Sequence, residues 1–430
     1  MRTCVMALLA IGWATAAMAQ YTVQLPPPPA QKTITILTSD LYYAPWDYDD
    51  VMDAITQYSL GSAFIDLRAL VMDQPSDGWN GGLTSRGDGR TWRGIFELAS
   101  GADVPYYTGL RNGLSSLTDT GGSQAANYRA GRDVILAQMA AAPDHSVVLH
   151  AVGSPRDIAA AYNQDPTLFA RKVKRIYLSG GKEGAIGAGD ANWGSDATAT
   201  QRLLASGLPL YVGLISSDDS RHDNTSWSLS VPDLMRVTDA VNPRLSHIIH
   251  WSYYGCMDGG YRMKHNIAFP NRPALPAGIS PPFGWAGNNT MASPAAFFQE
   301  PTIPAIDTEL RGAGPRGNIT RAMWSTINLI DAAGLKIFKN SADPTQIKLS
   351  YNDVEPLWQR VAYFQPVIST VAGNSWTYAP SGEAAANMHV FTWETANRAE
   401  YGAILDAVYR QLVQTYLPPP HPATPTTTGS

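Results

Sequence analysis

The sequence predicts an α/β fold, a mostly parallel central sheet with helices on both faces, carried by a single domain over 32–417. Three observations predict it. Short β-rich runs alternate with helical patterns through the first half of the chain. No linker separates that half convincingly from the remainder. The composition, 44% hydrophobic and 16% charged over 430 residues, suits one large core and excludes the disordered and fibrous classes.

The chain opens Met1-Arg2, followed by an apolar run over 5–17 and the triplet Ala17-Met18-Ala19, a pattern that predicts a signal peptide over 1–19. The run is short for a membrane span, and no later window of about 20 apolar residues is free of charge. The expectation is an exported protein, periplasmic or secreted, with no membrane span once processed. Cys4 would leave with the leader, so Cys256 would have no partner for a disulfide. Pro26 to Pro29 predict a Pro-rich linker over 20–31, and the Pro/Thr-rich end predicts an unstructured tail over 418–430. A net charge of −5 gives no electrostatic reason to expect nucleic acid or an anionic membrane as partner.

Between these ends, strands are expected over 33–38, 63–71, 146–152, 173–178 and 208–215. Helices are expected over 50–59, 131–142, 156–162 and 198–205. Long loops are expected over 79–92 and 266–304, rich in Gly, Pro, Asp and Asn, and further helices near 321–333, 354–364 and 398–416. In parallel sheets of this kind ligands bind beyond the carboxyl ends of the strands, so the residues just after each strand are the place to look for chemistry.

After the first strand comes Asp40, then Asp47, Asp49, Asp50 and Asp53, five carboxylates in fourteen residues. Two readings stand. Asp49 and Asp50 open a helix, where acidic side chains cap and suit the dipole. Alternatively, the cluster is a site, since oxygen ligands packed together are tolerable when a hard cation such as Ca²⁺ or Mg²⁺ neutralises them.

Asp40 followed by Asp49-Asp50 resembles the inosine-uridine nucleoside hydrolase family, as do three further blocks. These are Asp103 to Gly109; Ser146 to Ile158 with Asp165-Pro166 and Lys172 to Gly181; and Asp190-Ala191-Asn192-Trp193-Gly194-Ser195-Asp196. The resemblance covers about 33–215 and implies a Rossmann-type, nucleoside hydrolase-like sheet. It further implies Ca²⁺ held by Asp40, Asp47, Asp50 and the backbone carbonyl of Arg156, with Asp40 as general base. Asp49, Asp190 and Asn192 would hold the ribose. The implied activity is hydrolysis of the N-glycosidic bond of a ribonucleoside, of use in purine and pyrimidine salvage. The alternatives are hydrolysis of another glycoside and a non-catalytic sugar- or nucleoside-binding protein.

The family's late His-Asp pair has no counterpart at the expected place. His222-Asp223 comes early, His250-Trp251-Ser252 supplies only a His, and Met323 to Thr326 supplies neither. His222 and His250 are therefore the candidates for protonating a leaving base.

Overall fold

The computed structural model describes residues 21–40, 48–73, 89–187, 190–215, 222–256, 297–299, 301–314, 319–353 and 356–419. The signal peptide expected over 1–19 lies outside them, as do Asp47, most of the expected loop over 266–304 and the tail beyond 419.

The first parallel strands are β2 (Thr33–Ser39), β3 (Ile65–Met72), β4 (Tyr106–Thr108), β5 (Val147–Ala151), β6 (Val173–Ser179) and β8 (Leu210–Gly213). They lie in the order β4-β3-β2-β5-β6-β8, all parallel. One cross-strand row reads Ala69, Ile36, Leu149, Ile176, Leu210, and every member is buried on the same face. Leu37, Leu70, Val148 and Tyr177 point to the opposite face and join a second core. Burial on both faces explains why these strands are almost continuously apolar. Helices Ala126–Ala141, Arg156–Gln164, Pro166–Lys172 and Ala197–Leu204 cover the first face. Helices Tyr48–Ser59, Gly89–Ser100, Val231–Val241, Pro243–Cys256 and Arg398–Tyr416 contribute to the core on the second.

The far side of the sheet is antiparallel. After β15 (Met388–Trp393), which runs parallel to β8, come β13 (Trp358–Ala372), β11 (Lys336–Asn340) and β12 (Gln346–Ser350). The edge strand β1 (Thr22–Gln24) pairs with β12 in parallel. β14 (Ser375–Pro380) folds back along β13 and meets the short β7 (Gly184–Ala185). β9 (Trp227–Ser230) and β10 (Thr320–Met323) form a separate two-stranded sheet. Among the described residues no helix is long and apolar enough to cross a membrane.

Four expectations need correction. The helix expected over 354–364 is the start of β13, where β-branched and aromatic residues outweigh helical spacing. Pro366 falls between the last pair with β11 and the first with β14, where a residue lacking an N–H does least harm. The helix expected over 321–333 is instead β10 followed by helix Thr326–Ala332. The loop expected over 79–92 ends in helix Gly89–Ser100, whose Ile95, Phe96 and Ala99 are buried. The stretch expected as a linker over 20–31 holds β1, and the carbonyls of Pro26 and Pro27 accept hydrogen bonds from the Tyr416 and Tyr351 hydroxyls. The folded body therefore starts before Lys32.

Candidate functional site

The chain runs outward from β2 to β3 and β4, then returns to the other side of β2 as β5. Such a reversal puts the carboxyl ends of β2 and β5 at the usual ligand position in sheets of this kind. Asp40 follows β2 directly and is only 2% exposed. It packs against the turn after β5 so closely that a Cβ on Gly153 would lie 2.7 Å from its backbone N and 2.9 Å from its Cγ. Only glycine leaves room there.

Across from it stands Asp73, immediately after β3, a residue that the sequence reading passed over. Its Oδ2 accepts the Ser154 N–H at 2.7 Å, and its Oδ1 lies 3.8 Å from an Arg156 amino group. Burial pushes the Asp73 carboxyl up to about 7; Arg156 and the Ser154 N–H oppose this, while the negative field of Asp40 adds to it. Asp157, in the first turn of the next helix, is likewise pushed up to about 7 by burial and by Asp73, against the Leu110 N–H that it binds. The sequence carries a signal for Asp73: it is the first residue after β3, which ends one residue beyond the expected 71.

Arg156 is fully buried, and its guanidinium is satisfied on several sides. Nε donates to Asp196 Oδ2 at 3.0 Å, one amino group to the Leu110 and Arg111 carbonyls at 2.9 and 3.1 Å, and the other to the Ser195 carbonyl at 3.0 Å. Asp196 also accepts the N–H groups of Leu114 and Ala199, at 2.8 and 2.9 Å. Because Arg156 opens an α-helix, its carbonyl points along the axis into the next turn. Its side chain reaches the segments that follow β3, β4 and helix Ala191–Gly194.

Asp190 and Asn192 lie beside the ends of β5 and β6. Asp190 caps helix Ala191–Gly194, its Oδ2 accepting the Trp193 N–H at 2.7 Å. Burial raises its carboxyl, and the N–H groups of Trp193, Gly181 and Asn192 counter that. Asn192 donates through Nδ2 to the Val152 and Ser179 carbonyls at 2.9 and 3.0 Å, spending both amide protons. To a ligand it therefore offers Oδ1, an acceptor. Gly180 and Gly181 form the slot for Trp193; Gly181 sits at φ +72°, and a Cβ there would collide with the indole. Trp193 in turn packs on Trp376 of β14 with ring centres 5.6 Å apart.

The remaining expected residues divide. Asp50 is buried in the first turn of helix Tyr48–Ser59, while Asp47 and the side chain of Asp49 lie outside what is described. His250 is fully buried, and its Nε2 accepts the Ile303 N–H at 3.0 Å, so that nitrogen carries no proton to give a leaving group. His222 is exposed, stacks on Trp393 and faces the Trp393 carbonyl with Nδ1 at 3.0 Å. A carbonyl only accepts, so Nδ1 holds the hydrogen and Nε2 is left for other partners. Asp223 is buried and accepts from the Tyr378 hydroxyl. Asn328, one turn after the late segment 323–326, donates to Ser179 Oγ at 2.6 Å.

Among the described residues no three His, Cys, Asp or Glu side chains converge as a metal site would require. The Ca²⁺ shell expected of Asp40, Asp47, Asp50 and the Arg156 carbonyl includes Asp47, which lies outside the described residues.

No protein-family model matches the sequence, and no curated protein matches it. Solved structures do. A plant nucleoside hydrolase aligns with a TM-score of 0.41 and 12% identity over 88% of this chain and 99% of its own. The inosine-uridine preferring nucleoside hydrolase from Bacillus anthracis gives 0.42 and 10% over 88% and 100%. The type III effector protein XopQ, complexed with adenosine diphosphate ribose, gives 0.42 and 16% over 91% and 96%. These likenesses concern the fold alone, so the chemistry has to be argued from this chain's own residues.

Proposed function

We propose that this protein is a hydrolase of N-glycosidic bonds acting on ribonucleosides, with Asp40 as the base that activates water. The observation that carries the reading is the placement of Asp40: a buried carboxylate at the carboxyl end of β2, where the strand order reverses, with Asp73 beside it.

Breaking the bond between C1′ and the base nitrogen leaves positive charge on the sugar ring, so negative charge nearby and a deprotonated water lower the barrier. Asp40 accepts the proton of the water that attacks C1′, and the electron pair of the broken bond leaves with the base. Asn192 Oδ1 accepts a hydrogen bond from a sugar hydroxyl, and Asp190 and Asp49 complete the sugar's polar surroundings. Of the two histidines considered for the leaving base, His222 is retained because the Nε2 of His250 is taken by the Ile303 N–H.

The test is to incubate the purified protein with inosine, uridine and p-nitrophenyl riboside, each with Ca²⁺ and with EDTA, and to measure free base or nitrophenol. Release from any of the three supports the reading. Silence on all three, with saturable binding of ribose or nucleoside, converts it to the binding-protein alternative.

A further inference from the structure

We infer that Arg156 is a positioning residue for the turn that carries Asp190 and Asn192: its guanidinium locks that turn to the segment after β4 and so sets how tightly the sugar is held.

The turn has two attachments. On the strand side, Asn192 hangs from the ends of β5 and β6 through its bonds to the Val152 and Ser179 carbonyls. On the other side the turn is held through its last residues. Arg156 donates to the Ser195 carbonyl at 3.0 Å and to Asp196 Oδ2 at 3.0 Å. The Ser195 hydroxyl passes the connection back, donating to the Asn192 carbonyl at 2.9 Å. The same guanidinium anchors the segment after β4, donating to the carbonyls of Leu110 and Arg111 at 2.9 and 3.1 Å. Asp196 closes the ring by accepting the Leu114 N–H at 2.8 Å, while Asp157, next to Arg156, accepts the Leu110 N–H at 3.1 Å. Arg156 is fully buried, so neither segment can shift without leaving a buried donor or acceptor unmade. A planar fork with five donors faces both segments at once; an ammonium presents its three donors from a single point. Towards the proposed base, Arg156 offers only its charge, 3.8 Å from Asp73. Lysine keeps the charge and loses the fork, so Arg156→Lys separates positioning from electrostatics.

The inference rests on the reading of Asp190 and Asn192 as the sugar's ligands, and the experiment keeps the two apart. Hydrogen exchange by mass spectrometry is compared between wild type and Arg156→Lys, together with kcat and KM for inosine and the inosine dissociation constant from calorimetry. Arg156→Lys is expected to raise exchange about tenfold in 190–197 and 110–115 while β13 and β15 stay unchanged. KM and the dissociation constant should rise roughly tenfold, with kcat within about twofold of wild type. Ser195→Ala cuts only the link to Asn192 and decides the matter if Arg156→Lys does not fold: exchange rises in 190–194 alone, and inosine is held about threefold more weakly. Inosine affinity unchanged in a folded variant, a fall in kcat at constant KM, or unchanged exchange in 190–194 overturns the inference. Wild type that binds inosine without releasing hypoxanthine overturns only the nucleosidase reading, and the dissociation constants then test the role of Arg156. Wild type that neither binds nor cleaves inosine overturns both.

Discussion

Asp73 Oδ2 accepts the backbone N–H of Ser154 at 2.7 Å, a bond that joins the end of β3 to the turn after β5 across the end of the strand between them. The middle strand is β2, and the residue enclosed beneath this link is Asp40. Neighbouring backbone bonds continue the clasp: Asp73 N–H to the Ser39 carbonyl at 2.9 Å, and Val152 N–H to the Thr38 carbonyl at 2.9 Å. These bonds fix the strand ends that carry the proposed base.

Asp40→Asn keeps the shape of the side chain and removes its ability to take a proton. Turnover should fall by about 10²- to 10⁴-fold, the usual worth of a positioned base. The melting point should stay near that of the wild type. A variant of unchanged rate would remove Asp40 from the mechanism.

Asp157 gives a pH prediction. Its carboxyl, pushed up to about 7 by burial and by Asp73, binds its proton more tightly when folded than at the ordinary value of 3.8 in the unfolded chain. Its contribution to stability is complete below about 4 and is lost as pH climbs towards 7, after which it changes no further. Asp157→Asn should flatten that part of the curve, losing less stability between pH 5 and pH 8 than the wild type in urea titrations. Parallel curves for the two proteins would show that Asp157 titrates normally.

Much of the fold was legible because the strands β2, β5 and β6 are bounded by unambiguous turn and helix signals. The fully apolar row through Ile36 and Leu149 depends only on local composition. The strand β13 was not legible, since Leu357, Val361 and Phe364 also fit a helical stripe and only the partners β11, β14 and β15 decide the matter. The site was read in part. Asp40 stands where expected, but Asp73 depends on where β3 stops, and the Arg156 network joins Asp73, Leu110, Arg111, Ser195 and Asp196, which no local pattern connects. Asp190 shows how a capping role and a ligand role leave the same trace in sequence: its contact with Trp193 is the cap.

Gly181→Ala tests the slot for Trp193. The φ of +72° disfavours any side chain, and the new methyl would strike the indole ring. A loss of about 2 to 5 kcal/mol is expected from backbone strain and overpacking together. Chemical unfolding measures it, and altered tryptophan emission should accompany it. A change below about 1 kcal/mol would mean that Trp193 can move aside.

Asn192 separates holding the sheet edge from holding the sugar. Asn192→Ala removes the bonds to Val152 and Ser179 as well as the acceptor Oδ1. Asn192→Asp retains an acceptor but turns a carboxylate towards two carbonyls, which repel it. If Asn192 binds substrate, Asn192→Ala should raise KM for a nucleoside by roughly tenfold, in line with one or two lost hydrogen bonds. Asn192→Asp should be the less stable of the two. Equal KM for Asn192→Ala and wild type would leave Asn192 as a structural brace only.

The central claim is that the site at the end of β2 cleaves N-glycosidic bonds. Its most direct test is chromatographic detection of free hypoxanthine and ribose from inosine, using wild-type protein beside Asp40→Asn at equal concentration. The account predicts stoichiometric formation of both products by the wild type and their loss in the variant. Intact inosine after prolonged incubation with the wild type, or equal release by both proteins, would contradict it.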